Sequence, residues 1–232
     1  MAQRTDRQRE FRRGYAGPVP ADPEPFPAGP VPCVRARFVR QSCGGSYFAE
    51  ALVDFLPGTG LSLTVEEDCG GPAAYARALF DGVAAELAGH PRLAPACEVR
   101  VAALRVHPVD SGERAFRLAG HMGVRTVLGL REPVPARKVD LRAWQGLYVT
   151  ARLDDDGTLR IEGQDLTGPE YEYALTVAAA DVPAVRAALG AAPASDLLHL
   201  LRRHSPEVVR RGERTWLRSL GIEPGFWSRH GD

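Results

Sequence analysis

Between Cys33 and Glu67 the chain alternates apolar and polar residues in three runs, CVRARFVRQ, YFAEALVDFL and LSLTVEE, parted by SCGGS and PGTG. A period of two sends successive side chains to opposite faces, so each run predicts a strand, and the glycine-bearing breaks predict turns. The period then changes. In GGPAAYARALFDGVAAELAG, Ala76, Leu79, Phe80, Val83 and Leu87 recur at helical spacing, with Pro72 suited to the first turn. CEVRVAALRV returns to the strand pattern. RVHPVDSGERAF, residues 105–116, leads from it into a second helix with a seam of Ala115, Leu118, Ala119 and Met122. Gly120 and Gly123 would let that helix approach a sheet closely. The predicted order is three strands, helix, strand, helix.

Residues 130–139, LREPVPARKV, interrupt the periodicity with two prolines and read as a linker. Beyond them LYVTARL and TLRIEG flank DDDG, a hairpin signal, and EYEYALTV alternates with Tyr171, Tyr173, Leu175 and Val177 on one face. Helical stretches follow near 181–189, 195–203 and 206–220, with Ser195 and Ser205 placed as N-caps of the last two and Pro206 in a first turn. No internal repeat is evident. Residues 1–32 are arginine-rich and then proline-rich, GPVPADPEPFPAGPVP, which predicts an extended, disordered arm. The fold class expected is α+β, with an arm over 1–32, a domain over 33–135 and a small C-terminal α+β unit over 139–232.

Composition narrows the function classes. The 232 residues are 44% hydrophobic and 25% charged with no net charge, as in a soluble globular protein. No apolar run is long enough to span a bilayer, and the N-terminus lacks the apolar core of a signal peptide, so a cytoplasmic location is expected. Of the 29 basic residues only Lys138 is lysine, which with abundant Ala, Gly and Pro suggests GC-rich coding rather than selection for RNA contact. Cys33, Cys43, Cys69 and Cys97 form no C-x-x-C pair and no zinc spacing, so they read as small thiols in a reducing compartment. The chain has no P-loop, dinucleotide fingerprint, H-E-x-x-H or nucleophile elbow, so no nucleotide, cofactor or metal is expected. RLDDDGTLRIEG resembles a calcium loop only in part, because Arg152 and Gly163 fall where the first and last ligands belong.

Asp110 and Glu113 have the spacing of a capping box and suit the positive end of a helix. His107, just before Pro108, is left over. Together the trio has the residue types of a general acid and base. It lacks a nucleophile, a metal set or a cofactor motif beside it, so no enzymatic activity is expected.

These pieces, taken together over about residues 35–135, resemble domain IV of elongation factor G and its relatives, including eukaryotic elongation factor two and the ribosome-protection proteins. RFVRQSCGGSYFAEALV resembles that family's first strand, R-Q-[ST]-G-G loop and returning strand. CGGPAAYARALFDGVAAELAG resembles its G-G-x-x-P-x-x-Y helix entry, and VRVAALRVHPVDSGERAFRLAGHMGVR its strand, H-x-V-D-S-S-E loop and A-F-K-x-A helix. LREPV is similar to its closing L-x-E-P-[IV] segment. The resemblance implies a two-layer α/β sandwich of the ribosomal-protein domain-2-like type, with two tip loops that in elongation factor G enter the decoding region of the ribosome. Carried onto this chain, the first loop is Arg40, Gln41, Ser42, Gly44 and Gly45, and the second is His107, Asp110, Ser111 and Glu113.

The chain departs from the family at several points. Cys43 stands where glycine is common, Gly112 replaces the second serine, and neither the GTPase domain nor the middle domains are present. After Val139 it does not resemble the family's last domain. Residues 33–135 balance 11 arginines against 11 acidic residues, without the surplus positive charge that phosphate contacts reward. The function expected is a stand-alone binding module for the ribosome or structured RNA, with Arg40, Gln41 and His107 as donors. The alternative is a protein-binding adaptor that uses the fold as scaffold. Trp216, Phe226 and Trp227 would be its anchors, unless they close the C-terminal helical layer as core.

Overall fold

The computed structural model describes residues 23–42 and 45–231, and its architecture is mixed α+β. In chain order the first half runs β1 (Glu24–Phe26), β2 (Val31–Ser42), β3 (Gly45–Pro57), β4 (Ser62–Val65), α1 (Ala73–Ala88), β5 (Leu93–Pro95), β6 (Cys97–Arg105) and α2 (Glu113–Val127). A four-stranded sheet has the order β2-β3-β6-β4, antiparallel except for the parallel β4–β6 pair. Its alternation gives two different faces. Val34, Ala36, Ala49, Ala51, Val53, Phe55, Val99 and Val101 join Leu79, Val83, Phe116 and Val124 of the helices in one core.

Helix α2 touches both the sheet and α1, so its buried arc is wider than a single seam. Ala115 and Ala119 are buried as expected, but Phe116, Gly120, Gly123 and Val124 complete the arc, and Leu118 and Met122 are only half-buried. Gly123 does serve the sheet: a Cβ there would stand 3.2 Å from the Ala36 Cβ. Gly120 serves the other helix. A Cβ on Gly120 would run into the Leu79 carbonyl, and one on Gly82 into the Arg117 carbonyl, so the two backbones cross with no room for a methyl group. Outside the crossing, Glu86 of α1 accepts from His121 Nδ1 at 2.9 Å and lies 3.2 Å from Arg125 Nε. Partial burial pushes the Glu86 carboxyl up, but hydrogen bonds from His121 and His90 and the Arg125 charge outweigh it and hold it below its usual range.

The second half runs β7 (Lys138–Trp144), β8 (Leu147–Leu153), β9 (Leu159–Asp165), β10 (Tyr171–Val177), α3 (Val182–Ala188), α4 (Leu197–Arg211), α5 (Glu213–Ser219) and β11 (Gly225–His230). Its five strands form an antiparallel sheet of order β11-β10-β9-β8-β7. Val149, Ala151, Leu159, Ile161, Leu175 and Val177 pack there with Val185, Leu198, Leu201 and Leu217.

Four expectations are corrected here. The linker expected over 130–139 ends earlier: Lys138 and Val139 open strand β7, because Val139 and Leu141 bury against the second core. Residues 24–26 are not part of a disordered arm: β1 pairs in parallel with β5 and buries Phe26. The arm proper, 1–22, lies outside the described residues. Asp196, not Ser195, caps α4 by accepting from His199 N at 3.0 Å, while Ser195 Oγ accepts from Ala192 N. Finally, α4 continues through Pro206, so Ser205 is a buried mid-helix residue and not a cap.

The second face of the four-stranded sheet meets the second half at Cys33. A register shift between Val31 and Val34 puts Cys33 in the left-handed region, φ 53°, and turns its side chain into the second core. Cys33 N donates to Asp54 Oδ1 at 2.7 Å, and Cys33 O accepts from Asp196 N at 2.8 Å. Arg203 of α4 donates to the same Asp54 oxygen at 3.0 Å, and Ala136 N donates to Asp196 Oδ2 at 2.6 Å. Burial pushes the Cys33 thiol up to about 12. Cys33, Cys69 and Cys97 are buried free thiols, and Cys43 lies outside the described residues.

Two stability predictions follow from these contacts. Gly82→Ala or Gly120→Ala will lower unfolding free energy by about 1–3 kcal/mol in urea titrations, since backbone on both sides resists the new methyl group. Asp54→Ala will cost about 3 kcal/mol in the same assay. That is the low end for a broken buried pair, because Asp54 is 5% exposed but Arg203, at 33%, can return to water.

Candidate functional site

Strand β6 stays paired with β3 only as far as Glu50 and Arg105, whereas β2 and β3 remain paired out to Ser42 and Gly45. The last rows of the hairpin therefore project past the sheet as a two-stranded ribbon. Arg40 and Gln41 are exposed on it, paired across with Tyr47 and Ser46. Ser42 and Gly45 face each other at its end, and Gly44 lies outside the described residues.

The loop between β6 and α2 packs against the base of this ribbon through Ser111. Its Oγ donates to Phe48 O at 2.7 Å and accepts from His107 N at 2.8 Å. Ser111 N donates to His107 O, Phe48 N donates to Asp110 O at 2.9 Å, and Tyr75 Oη of α1 donates to Ser111 O at 3.4 Å. One hydroxyl thus closes the loop on itself and joins it to β3.

The capping-box expectation for Asp110 and Glu113 is corrected. Gly112, extended at φ −170°, is the N-cap of α2, and no side chain caps it. The tight turn from His107 to Ser111 commits the Asp110 carboxylate to His107, with Nδ1 and Oδ2 3.1 Å apart. The same Nδ1 also lies 3.2 Å from the Asp110 amide. Bare, Nδ1 accepts that N–H; carrying a proton, it donates to the carboxylate instead. Glu113 stands exposed in the first turn, where the helix start still favours a negative charge.

The structure brings His107, Asp110 and Ser111 together at Phe48 and sets Arg40 and Gln41 on the adjoining ribbon. It adds residues that the sequence reading assigned to strand or helix alone. The Phe48 ring lies 6.2 Å from His107, with Arg105 Cζ 5.8 Å from its centroid, and Arg114 Cζ lies 5.6 Å from the Tyr47 ring. The runs themselves carried no signal of this, because YFAEALVDFL and CEVRVAALRV are both ten residues long and only their register, with Arg105 opposite Glu50, leaves the hairpin overhanging. The tip then carries Arg40, Arg105 and Arg114 against Asp110 and Glu113, with exposed guanidinium donors and half-buried aromatic faces. Such a surface can hold an anionic backbone and stack a base.

Elsewhere, Trp216 is buried at 6% exposure as part of the second core, while Phe226 and Trp227 stand exposed on the edge strand β11. Among the described residues no group of His, Cys, Asp or Glu is placed to hold a metal ion, and no helix is long and apolar enough to cross a membrane.

No protein-family model matches the chain. Among solved structures it is similar to a Thermus thermophilus protein, ttk003000868, with a TM-score of 0.38 and 12% identity over 93% of this chain. The chain spans 30% of that protein's length.

Ser111→Ala will lower stability by about 1–3 kcal/mol, because it removes a donor and an acceptor at once. Amide exchange at His107 and Phe48 will speed up while that of β9 stays unchanged, measured by hydrogen–deuterium exchange.

Proposed function

We propose that this chain is a binding module like domain IV of elongation factor G, acting on the ribosome or structured RNA in the cytoplasm without hydrolysing a nucleotide. Residues 33–135, in this reading, are the two-layer sandwich of the ribosomal-protein domain-2-like type, and 139–232 are a separate C-terminal unit. The observation that carries it is the Ser111 clasp. It holds the two loops side by side at the end of a projecting ribbon, with Arg40, Gln41 and His107 presented at one end of the sheet. Such a tip reads shape and backbone rather than a base sequence. The near balance of charge there suits weak, salt-sensitive binding.

A protein-binding adaptor is the second reading. It is supported by the exposed aromatics of the five-stranded sheet: Trp144 on edge strand β7, Tyr148, and Phe226 and Trp227 on edge strand β11. Aromatics of this kind anchor protein interfaces.

Cosedimentation with small ribosomal subunits and whole ribosomes, at low and high salt, separates the two. The ribosome reading expects pelleting at low salt that weakens in Arg40→Ala and His107→Ala, with the salt slope falling by about 1 for the arginine change. Absence of ribosome-dependent pelleting at low salt sinks it. Pelleting lost only when Trp227→Ala is introduced transfers the contact to the C-terminal unit.

A further inference from the structure

Between the two halves, reaching the tip at Arg105, lies a cleft of about 560 Å³. Its floor is the second face of the four-stranded sheet, with Leu52 and Ala103 as apolar lining. Its walls are the segment leading into β7 and the first half of α4. Six basic residues line it, Arg35, Arg105, Arg137, Lys138, His199 and Arg202, against Glu50 and Asp140.

Much of this charge is not spent within the protein. Arg35 is paired with Glu50 at 2.7 Å, and Arg137 lies 3.4 Å from Asp155. Among the described residues, Arg105, Lys138 and Arg202 have no carboxylate within 4.0 Å, as the ion pairs that do form show. These three come from β6, β7 and α4, so the convergence exists only once both halves are folded together. Two buried polar atoms on the same residues that line the cleft, His199 Nδ1 and Arg35 Nε, have no hydrogen-bond partner among the described residues. Desolvation in this setting also lowers the His199 pKa, which keeps its ring neutral near pH 7 and able to give or take one hydrogen bond.

We infer that this cleft is a binding site for a small phosphate-bearing anion, held by Arg105, Lys138 and Arg202. The volume falls within the range of small-molecule sites. Guanidinium forks and an ammonium point charge are the groups that hold phosphate oxygens, and the apolar floor strengthens their field. A ligand there would bridge β6 of the first half to β7 and α4 of the second. The absence of a P-loop does not bear on it, because these donors are side chains rather than a glycine-rich backbone cradle. The site shares Arg105 with the tip, but Lys138 and Arg202 belong to the cleft and not to the tip, and the inference does not rest on what the tip loops bind.

Isothermal titration of the full chain with inorganic tripolyphosphate at fixed ionic strength tests it, with a nucleoside triphosphate as the parallel ligand. Saturable one-to-one binding is expected, weakened about tenfold or more in Lys138→Gln and in Arg202→Gln, since a charge-assisted bond is lost in each. Arg40→Ala should leave it unchanged. Equal affinity for the two ligands places recognition in the phosphates, and tighter binding of the nucleoside triphosphate adds a contact to the base; both support the site. Absence of saturable binding overturns it, as does equal binding by the wild type and both cleft variants. Weakening by Arg40→Ala alone also overturns it, moving the anion to the tip. If Arg202→Gln does not fold, Lys138→Gln decides, because Lys138 is exposed at the start of β7.

Discussion

The buried carboxylate of Asp54 joins three things that the remainder of the molecule relies on. It holds the amide of Cys33 in a left-handed turn of β2, it accepts from Arg203 of α4, and it does both from the second face of the four-stranded sheet. A carboxylate 5% exposed is costly to bury unless its oxygens are filled by donors, and these two donors come from opposite sides of the junction. Asp196 repeats the arrangement, taking the amides of His199 and Ala136 while its own amide reaches Cys33 O. Cys33 is therefore gripped from both halves. The bulge at that point diverts one apolar side chain from the first core into the second.

This junction determines what each end of the molecule is free to do. With one sheet face covered by α1 and α2 and much of the other by the second half, the part of the β2–β3 hairpin that outruns β6 projects as a ribbon. The Ser111 clasp then fixes the second loop beside it. The same junction leaves the basic cleft where the coverage of the sheet is incomplete. Tip and cleft are thus consequences of one packing arrangement, and Arg105 at the end of β6 lies in both.

Much of the secondary structure was legible along the chain. LYVTARL, EYEYALTV and CEVRVAALRV coincide with β8, β10 and β6 to within a residue, because strict alternation beside a core admits few other registers. The elements that escaped were those defined by partners: β1 by β5, β7 by β8, and β11 by β10. At the site, His107, Asp110 and Ser111 were recognisable as a loop before a helix, but their roles were not. Asp110 looked like a cap by spacing, yet the tight turn gave its carboxylate to His107 and left Gly112 at the helix boundary.

The sequence by itself determined the strands and helices that carry their own periodicity, the apolar face of the strands among them, and the polar loops that carry the candidate tip residues. These follow from side-chain periodicity and turn chemistry, which act over a few residues. Tertiary structure alone decided that Gly82 and Gly120 meet backbone to backbone, that Asp54 pairs with Arg203, and that Arg105, Lys138 and Arg202 share one cleft. Those partners lie tens to more than a hundred residues apart, and no local pattern encodes which surfaces will be pressed together when the cores close.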